Sequence, residues 1–271
     1  MFEFSPAPPA PIEDIERVHD ADYVRAFLEG VLEPQAMRRI GFPWSRELVA
    51  RTLASAGGTL AATEQALLHG WGGTLGGGTH HAFRGYGSGY CVFNDIAIAI
   101  RKLFADGRAC TAAVIDLDVH QGDGTAEIFS GDDRVFTLSI HGRNNFPFRK
   151  QKSVLDIELA DGTGDEEYLV HLARGLAEAF EQKPDIVFYQ SGVDSLATDR
   201  LGKLALTLEG LAARDRAVFG ECVRLGVPYV VTLGGGYSEP IERTVEANAQ
   251  TYLLAAEFAL PCWALPAKLV K

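Results

Sequence analysis

The chain is poor in the features that would make it secreted, membrane-spanning or nucleic-acid-binding. Only four cysteines occur, Cys91, Cys110, Cys222 and Cys262. They lie far apart with no CxxC pair, mostly in apolar segments, which excludes a disulfide framework and points to buried free thiols. No uninterrupted apolar run reaches the length of a membrane span, and no signal peptide is visible. A cytoplasmic, reducing location and no membrane partner are therefore expected. Basic residues are in deficit: 25 Lys and Arg against 36 Asp and Glu give a net charge of −11. Direct nucleic-acid binding, which needs a basic footprint, is thereby disfavoured. Basic proteins or polyamines stay open as substrates, because an acidic surface attracts them. Charge runs, repeats and linkers are lacking as well. With 271 residues and 47% hydrophobic content, the chain is read as one α/β domain, 1–271.

What is present is an alternation of helices and short apolar strands. Residues 5–11, SPAPPAP, are too rich in proline for regular structure and predict an extended arm over 1–11. A short edge strand is expected at Ile12 to Val18 and a helix at Asp20 to Glu29. Ser45 is placed to cap a long helix whose apolar face carries Val49, Leu53, Ala56, Leu60 and Leu67. Further helices fit Asn94 to Ala105, Asp165 to Gln182, Thr207 to Leu225 and Pro240 to Ala256. Strands fit Trp71 to Leu75, Thr111 to Leu117, Val135 to Ile140, Asp185 to Tyr189 and Tyr229 to Leu233. The alternation implies a three-layer α/β fold, a mostly parallel central sheet with helices on both faces.

Several strands end in polar or glycine-rich turns. The first is Gly76-Gly77-Gly78-Thr79-His80-His81, whose adjacent imidazoles suit proton transfer near neutral pH. It reads equally as one structural and one exposed histidine; as a phosphate loop it is weak, with no GK[ST] following. Asp116-Leu117-Asp118-Val119-His120 closes a buried strand and runs into Gln121-Gly122-Asp123. Strand alternation sends Asp116, Asp118 and His120 to one side at its carboxyl end, where open α/β sheets bind ligands. A solvated loop or an N-cap by Asp118 is the plainer alternative. The third turn, Tyr189 to Asp194, ends in an aspartate, with Asp199 nearby; alone it is a turn or cap. The fourth, Leu233-Gly234-Gly235-Gly236-Tyr237, places a tyrosine hydroxyl at the rim as an oxyanion donor or a packed surface aromatic. Taken together, Asp118, His120 and Asp194 offer one nitrogen and two carboxylates with an open position. That is the layout of a catalytic Zn2+ site. Asp116 and Asp123 remain as supports for the histidine pair, and metal-assisted amide hydrolysis follows from this inventory.

The blocks GGGTHHAFRGYGSGYCVFND, DLDVHQGDGTAEIF, FPFRKQKSVLDIELADGTGDEEYL, SGVDSLATDRLGKLAL and LGGGY resemble the signatures of the histone deacetylase superfamily, in the family's order. The match is closest to bacterial and class IV-like members. The resemblance implies the arginase/deacetylase fold and a zinc-dependent deacylase acting on an acylated lysine peptide or protein, or on an N-acetylated amine such as an acetylpolyamine. It assigns Asp118, His120 and Asp194 to zinc, and His80 and His81 to proton transfer, with Asp116 behind His80 and Asp123 behind His81. Tyr237 would polarise the acyl carbonyl. Gly89 and Tyr90 would form one wall of the acyl tunnel, and Phe146 the facing aromatic. A structural K+ is implied behind the zinc, held by Asp116, Ser139 and the backbone carbonyls of Asp118, His120 and Ile140. A binuclear manganese ureohydrolase would share the fold but needs carboxylates where Gly122 and Leu196 stand. The family's N-terminal strand is expected to be missing here, leaving an altered sheet edge, a more open tunnel mouth and the alternative of a catalytically impaired acyl-binding protein. Acyl chain length, physiological substrate and oligomeric state have no readable signal.

Overall fold

A computed structural model describes residues 2–258. Residues 2–11 form neither helix nor strand, as their prolines dictate. They are nevertheless anchored. Ala10 donates its N–H to the Leu53 carbonyl at 2.9 Å, and the Phe2 ring meets Trp71 edge-on at 6.2 Å.

Helices α1 (Ile12–Ile15), α2 (Ala21–Glu29), α3 (Pro34–Ile40) and α4 (Arg46–His69) come first. They are followed by β1 (Trp71–Gly73), α5 (Asp95–Ala105), β2 (Ala112–Asp116), α6 (Asp123–Ile128), β3 (Val135–Gly142) and β4 (Leu155–Leu159). The remainder is α7 (Asp165–Glu181), β5 (Ile186–Gln190), α8 (Leu208–Leu225), β6 (Tyr229–Thr232) and α9 (Glu242–Glu257). Helices α4, α5 and α8 start on a side-chain cap. Ser45, Asn94 and Thr207 each accept an N–H from the residue three positions on, at 3.1, 3.0 and 3.0 Å. Among the described residues no helix is long and apolar enough to cross a membrane.

The six strands form one all-parallel sheet in the order β1-β6-β5-β2-β3-β4. Alternate residues of each strand feed separate cores, because successive side chains point to opposite faces. Ala113, Ile115, Val187, Tyr189 and Val231 pack with Leu172, Phe219 and Tyr252 of α7, α8 and α9. Ala112, Val114, Ile186, Phe188 and Val230 pack with Ile96, Leu67 and Phe27 of α5, α4 and α2. This is the expected three-layer α/β architecture. From β2 the chain runs outward to β3 and β4, then returns to the other side of β2 with β5 and β6. The reversal makes a crevice between the carboxyl ends of β2 and β5, where open α/β sheets bind ligands.

The edge strand expected at Ile12 to Val18 is instead the single helical turn α1 and a following turn. Pro11 stands just before the helix as its N-cap, and Glu13 and Asp14 in the first turn suit the helix dipole. Ile15 and Val18 are buried three residues apart, a spacing a strand cannot bury on one face. Among the described residues the sheet therefore begins at β1, on an edge against which Phe2 packs. Strand β4 and helices α3 and α6 were not expected from the pattern. Cys91 and Cys222 are buried free thiols as anticipated, whereas Cys110 is exposed, and Cys262 lies outside the described residues.

Candidate active site

The crevice between β2 and β5 gathers the predicted metal ligands. Asp118 and His120 follow β2, Asp194 follows β5, and their ligand atoms all lie within 4.8 Å of one another. Among the described residues this is the one such group of three. His120 Nδ1 stands 3.0 Å from Asp118 Oδ1 and 3.1 Å from Asp194 Oδ2. Burial alone would lower His120, but its bonds to the two carboxylates outweigh it and raise the imidazole to about 11. A divalent metal among the three would take the place of that proton. The remaining carboxylate oxygens are fixed from behind: Gly235 N–H donates to Asp118 Oδ2 at 2.7 Å and Val119 N–H to Asp194 Oδ1 at 2.8 Å. A Cβ on Gly235 would come within 2.0 Å of Asp194 Oδ2, so glycine there leaves room for the ligand. One imidazole and two oriented carboxylates, open toward a cavity, fit a tetrahedral zinc site.

The histidine pair stands beside it, with ring centroids 4.0 Å apart. Both are buried, and each donates Nδ1–H to its expected carboxylate at 2.7 Å, His80 to Asp116 and His81 to Asp123. Their protonation diverges. Burial pulls His80 down, yet Asp116 and Asp118 together lift it to about 9. Burial and then the charge of His80 lower His81 to about 4, leaving it neutral and able to accept a proton.

Three supports of the pair escaped sequence reasoning. Asp95 accepts N–H bonds from Gly78 (2.9 Å) and Thr79 (2.7 Å), pinning the glycine turn. Gln190 donates to the Gly78 carbonyl at 2.8 Å from the end of β5. His19 donates Nδ1–H to the Phe83 carbonyl at 3.0 Å and accepts the Asn94 N–H on Nε2 at 2.8 Å, tying the segment after His81 to the cap of α5. Only Asp95 carried a signal, as the buried acid at the start of an apolar helix.

A cavity of about 1690 Å3 opens from this site and is lined by His80, His81, Asp118, His120, Asp194 and Tyr237, together with Gly89, Tyr90 and Phe146. Gly89 and Phe146 are close neighbours beside His81. A Cβ on Gly89, whose φ is +53°, would meet His81 Cδ2 at 2.7 Å and Phe146 Cε1 at 3.1 Å. The Phe146 ring stands 4.9 Å from His81. Tyr90 is half exposed and packs 5.2 Å from Phe42. Tyr237 is held by its N–H bond to Asp199 Oδ2 at 2.6 Å, and its hydroxyl makes no hydrogen bond among the described residues. Burial and the nearby Asp118 and Asp194 raise its pKa.

Behind the ligands, Asp116 and Ser139 are partners across β2 and β3. Asp116 Oδ1 accepts the Asp118 N–H at 3.2 Å, and Ser139 Oγ shares a hydrogen bond with His141 Nδ1 at 2.9 Å. Ile140 follows on the same buried strand. On the other side Arg214, fully buried, donates to the carbonyls of Gly192 at 2.7 Å and Ser191 at 3.0 Å. Its Nε–H donates to Asp215 at 2.9 Å, and Asp215 also accepts the hydroxyls of Tyr189 and Thr251. Nothing in the spacing of α8 marked this pair as a support of the Asp194 loop.

Fold and site thus define a parallel α/β protein with a metal-capable centre and a histidine pair at its topological switch point. The family model described as histone deacetylase domain matches residues 2–253, and the chain belongs to that family. It is 50% identical over 244 residues to an uncharacterised protein of Picosynechococcus sp., covering 90% of this chain and 81% of that one. A probable deacetylase of Archaeoglobus fulgidus is 31% identical over 250 residues, covering 84% and 67%. Histone deacetylase 2 of Arabidopsis thaliana is 34% identical over 193 residues, covering 70% of this chain and 50% of that enzyme, so the chain spans half the length of this plant relative. Among solved structures, an HDAC homologue from Aquifex aeolicus superposes with a TM-score of 0.77 at 26% identity, covering 92% and 72%. An HDAC homologue complexed with SAHA gives 0.77 at 25% identity, covering 93% and 76%.

Proposed function

We propose that the chain is a zinc-dependent deacylase that hydrolyses the amide of an acyl-lysine or a related N-acyl amine. The observation that carries this reading is the opening of the Asp118, His120 and Asp194 trio into the same cavity as the two histidine–carboxylate pairs and Tyr237. Asp118, His120 and Asp194 would hold zinc, which supplies Lewis acidity at the acyl carbonyl and acidifies a water. His81, neutral and oriented by Asp123, takes the proton from the attacking water. His80, charged through Asp116, adds positive charge beside it. The Tyr237 hydroxyl donates to the developing oxyanion, and His81 returns its proton to the departing amine. Gly89, Tyr90 and Phe146 would flank the acyl-lysine chain. A structural K+ held by Asp116, Ser139 and the carbonyls of Asp118, His120 and Ile140 would offset the charge of the buried acids.

The test is release of free amine from an Nε-acetyl-lysine peptide by zinc-replete protein. Hydrolysis that disappears on chelation and returns with zinc is expected. Zinc-replete protein that releases amine from no acyl-lysine peptide and no N-acyl amine would overturn the reading.

A further inference from the structure

The charged residues that line the cavity do not share the acidic balance of the chain as a whole. Despite the net charge of −11, the exposed residues Arg38, Arg39, Arg51 and Lys203 all line the cavity. They stand on both sides of the acyl channel. The Arg39 carbonyl accepts the Gly89 N–H at 3.3 Å, which sets the end of α3 against the wall that touches His81. The Arg51 guanidinium lies 5.0 Å over the Phe42 ring, itself packed on Tyr90. Opposite, Lys203 N–H donates at 3.2 Å to Asn145, the neighbour of Phe146. Among the described residues none of these four cations makes an ion pair, although acids outnumber bases in the chain. Asp199, four residues before Lys203, is engaged with the N–H groups of Leu201, Gly202 and Tyr237. Of the acids lining the cavity, Asp118 and Asp194 belong to the metal site, leaving Glu3 on the arm.

Unpaired cations around a concave opening focus positive potential into it and favour an anionic ligand. We infer that the substrate is an N-acyl amine whose amine portion carries carboxylate groups at its end remote from the amide, an acyl-lysine in an acidic setting rather than a polycationic tail or a polyamine. This rests on the deacylase reading and reverses what the net charge alone suggested. The acyl group enters past Gly89 and Phe146, and the carboxylates stay at the mouth among the arginines and the lysine.

The experiment uses zinc-replete protein and three acetyl-lysine peptides that differ only in flanking residues: Glu, Gln or Lys. The expected order of kcat/KM is Glu above Gln above Lys, about tenfold from end to end at low salt and carried by KM. It shrinks as added salt shortens the Debye length toward about 3 Å at 1 M. Nε-acetyl-lysine with a free carboxylate, set against its amide, shows whether one carboxylate suffices or a peptide flank is required. The double variant R38E/R51E should invert the Glu-to-Lys ratio, and because the ratio is taken within one protein, any general loss of activity cancels. Equal kcat/KM for all three peptides, or a preference for Lys flanks, overturns the inference. If no peptide is hydrolysed, the deacylase reading fails instead. Fluorescence anisotropy of the labelled Glu and Lys peptides then decides the charge preference, with equal binding counting against it.

Discussion

Arg214 Nη1 donates to the Gly192 carbonyl at 2.7 Å, two residues before Asp194. The same guanidinium reaches the Ser191 carbonyl at 3.0 Å and, through Nε, Asp215 at 2.9 Å. A buried cation therefore holds the loop that carries Asp194, the third of the proposed metal ligands. Removing one partner of a buried ion pair leaves an uncompensated charge, at a cost of about 3–5 kcal/mol. R214M should lower the urea midpoint by a corresponding amount, and R214M/D215N should recover part of it. A midpoint unchanged in R214M would contradict the support assigned to Arg214.

His81 is the neutral member of the histidine pair and the assigned base. H81A should reduce turnover by roughly 10²- to 10⁴-fold, the range of general acid–base catalysis. The zinc content of the purified variant should stay at the wild-type level, because His81 is outside the ligand trio. Near-normal kcat in H81A would remove it from that role.

Gly235 touches two of the proposed metal ligands without being one. A methyl group there would stand 2.0 Å from Asp194 Oδ2 and 3.0 Å from Asp118 Oδ2. G235A should weaken zinc binding in a chelator competition by about 10- to 100-fold, the range seen when supports of metal ligands are altered. Wild-type affinity in G235A would show that the loop yields.

His19 makes stability depend on pH. Burial lowers it to about 4 against the carbonyl bonds of Arg84 and Phe83, whereas unfolded it takes up a proton near 6.5. Between those values the unfolded chain binds the extra proton. The contribution of the neutral imidazole is full above pH 6.5 and is lost as pH falls toward 4. Its extent is on the order of 3 kcal/mol. Urea midpoints measured from pH 7 down to pH 4 should fall more steeply in wild type than in H19N, which keeps a donor and an acceptor. Parallel curves would show that His19 is not the titrating group.

The long elements were legible because their signals are local. Ser45, Asn94 and Thr207 cap where hydroxyl or amide side chains precede apolar periodicity, and β2, β5 and β6 are short apolar runs. Strand β4 was missed because it lies at the sheet edge, where Glu158 faces solvent and the apolar run is broken. The turn at Ile12 to Ile15 was misread because a few apolar residues fit either period until Ile15 and Val18 find their core.

Which strand ends carry chemistry is written in the residues themselves, since acids and histidines after buried apolar runs are costly there without a ligand. The sequence by itself could not determine which ends meet. Asp118 and Asp194 become neighbours only because β5 returns to the side of β2 away from β3, a pairing between strands about 70 residues apart that no local pattern encodes. Folding likewise separated local charge from net charge. Composition counted 36 acids against 25 bases, but the tertiary structure set unpaired arginines and a lysine around the cavity mouth. A ligand responds to the field where it binds, and that field depends on positions that no count contains.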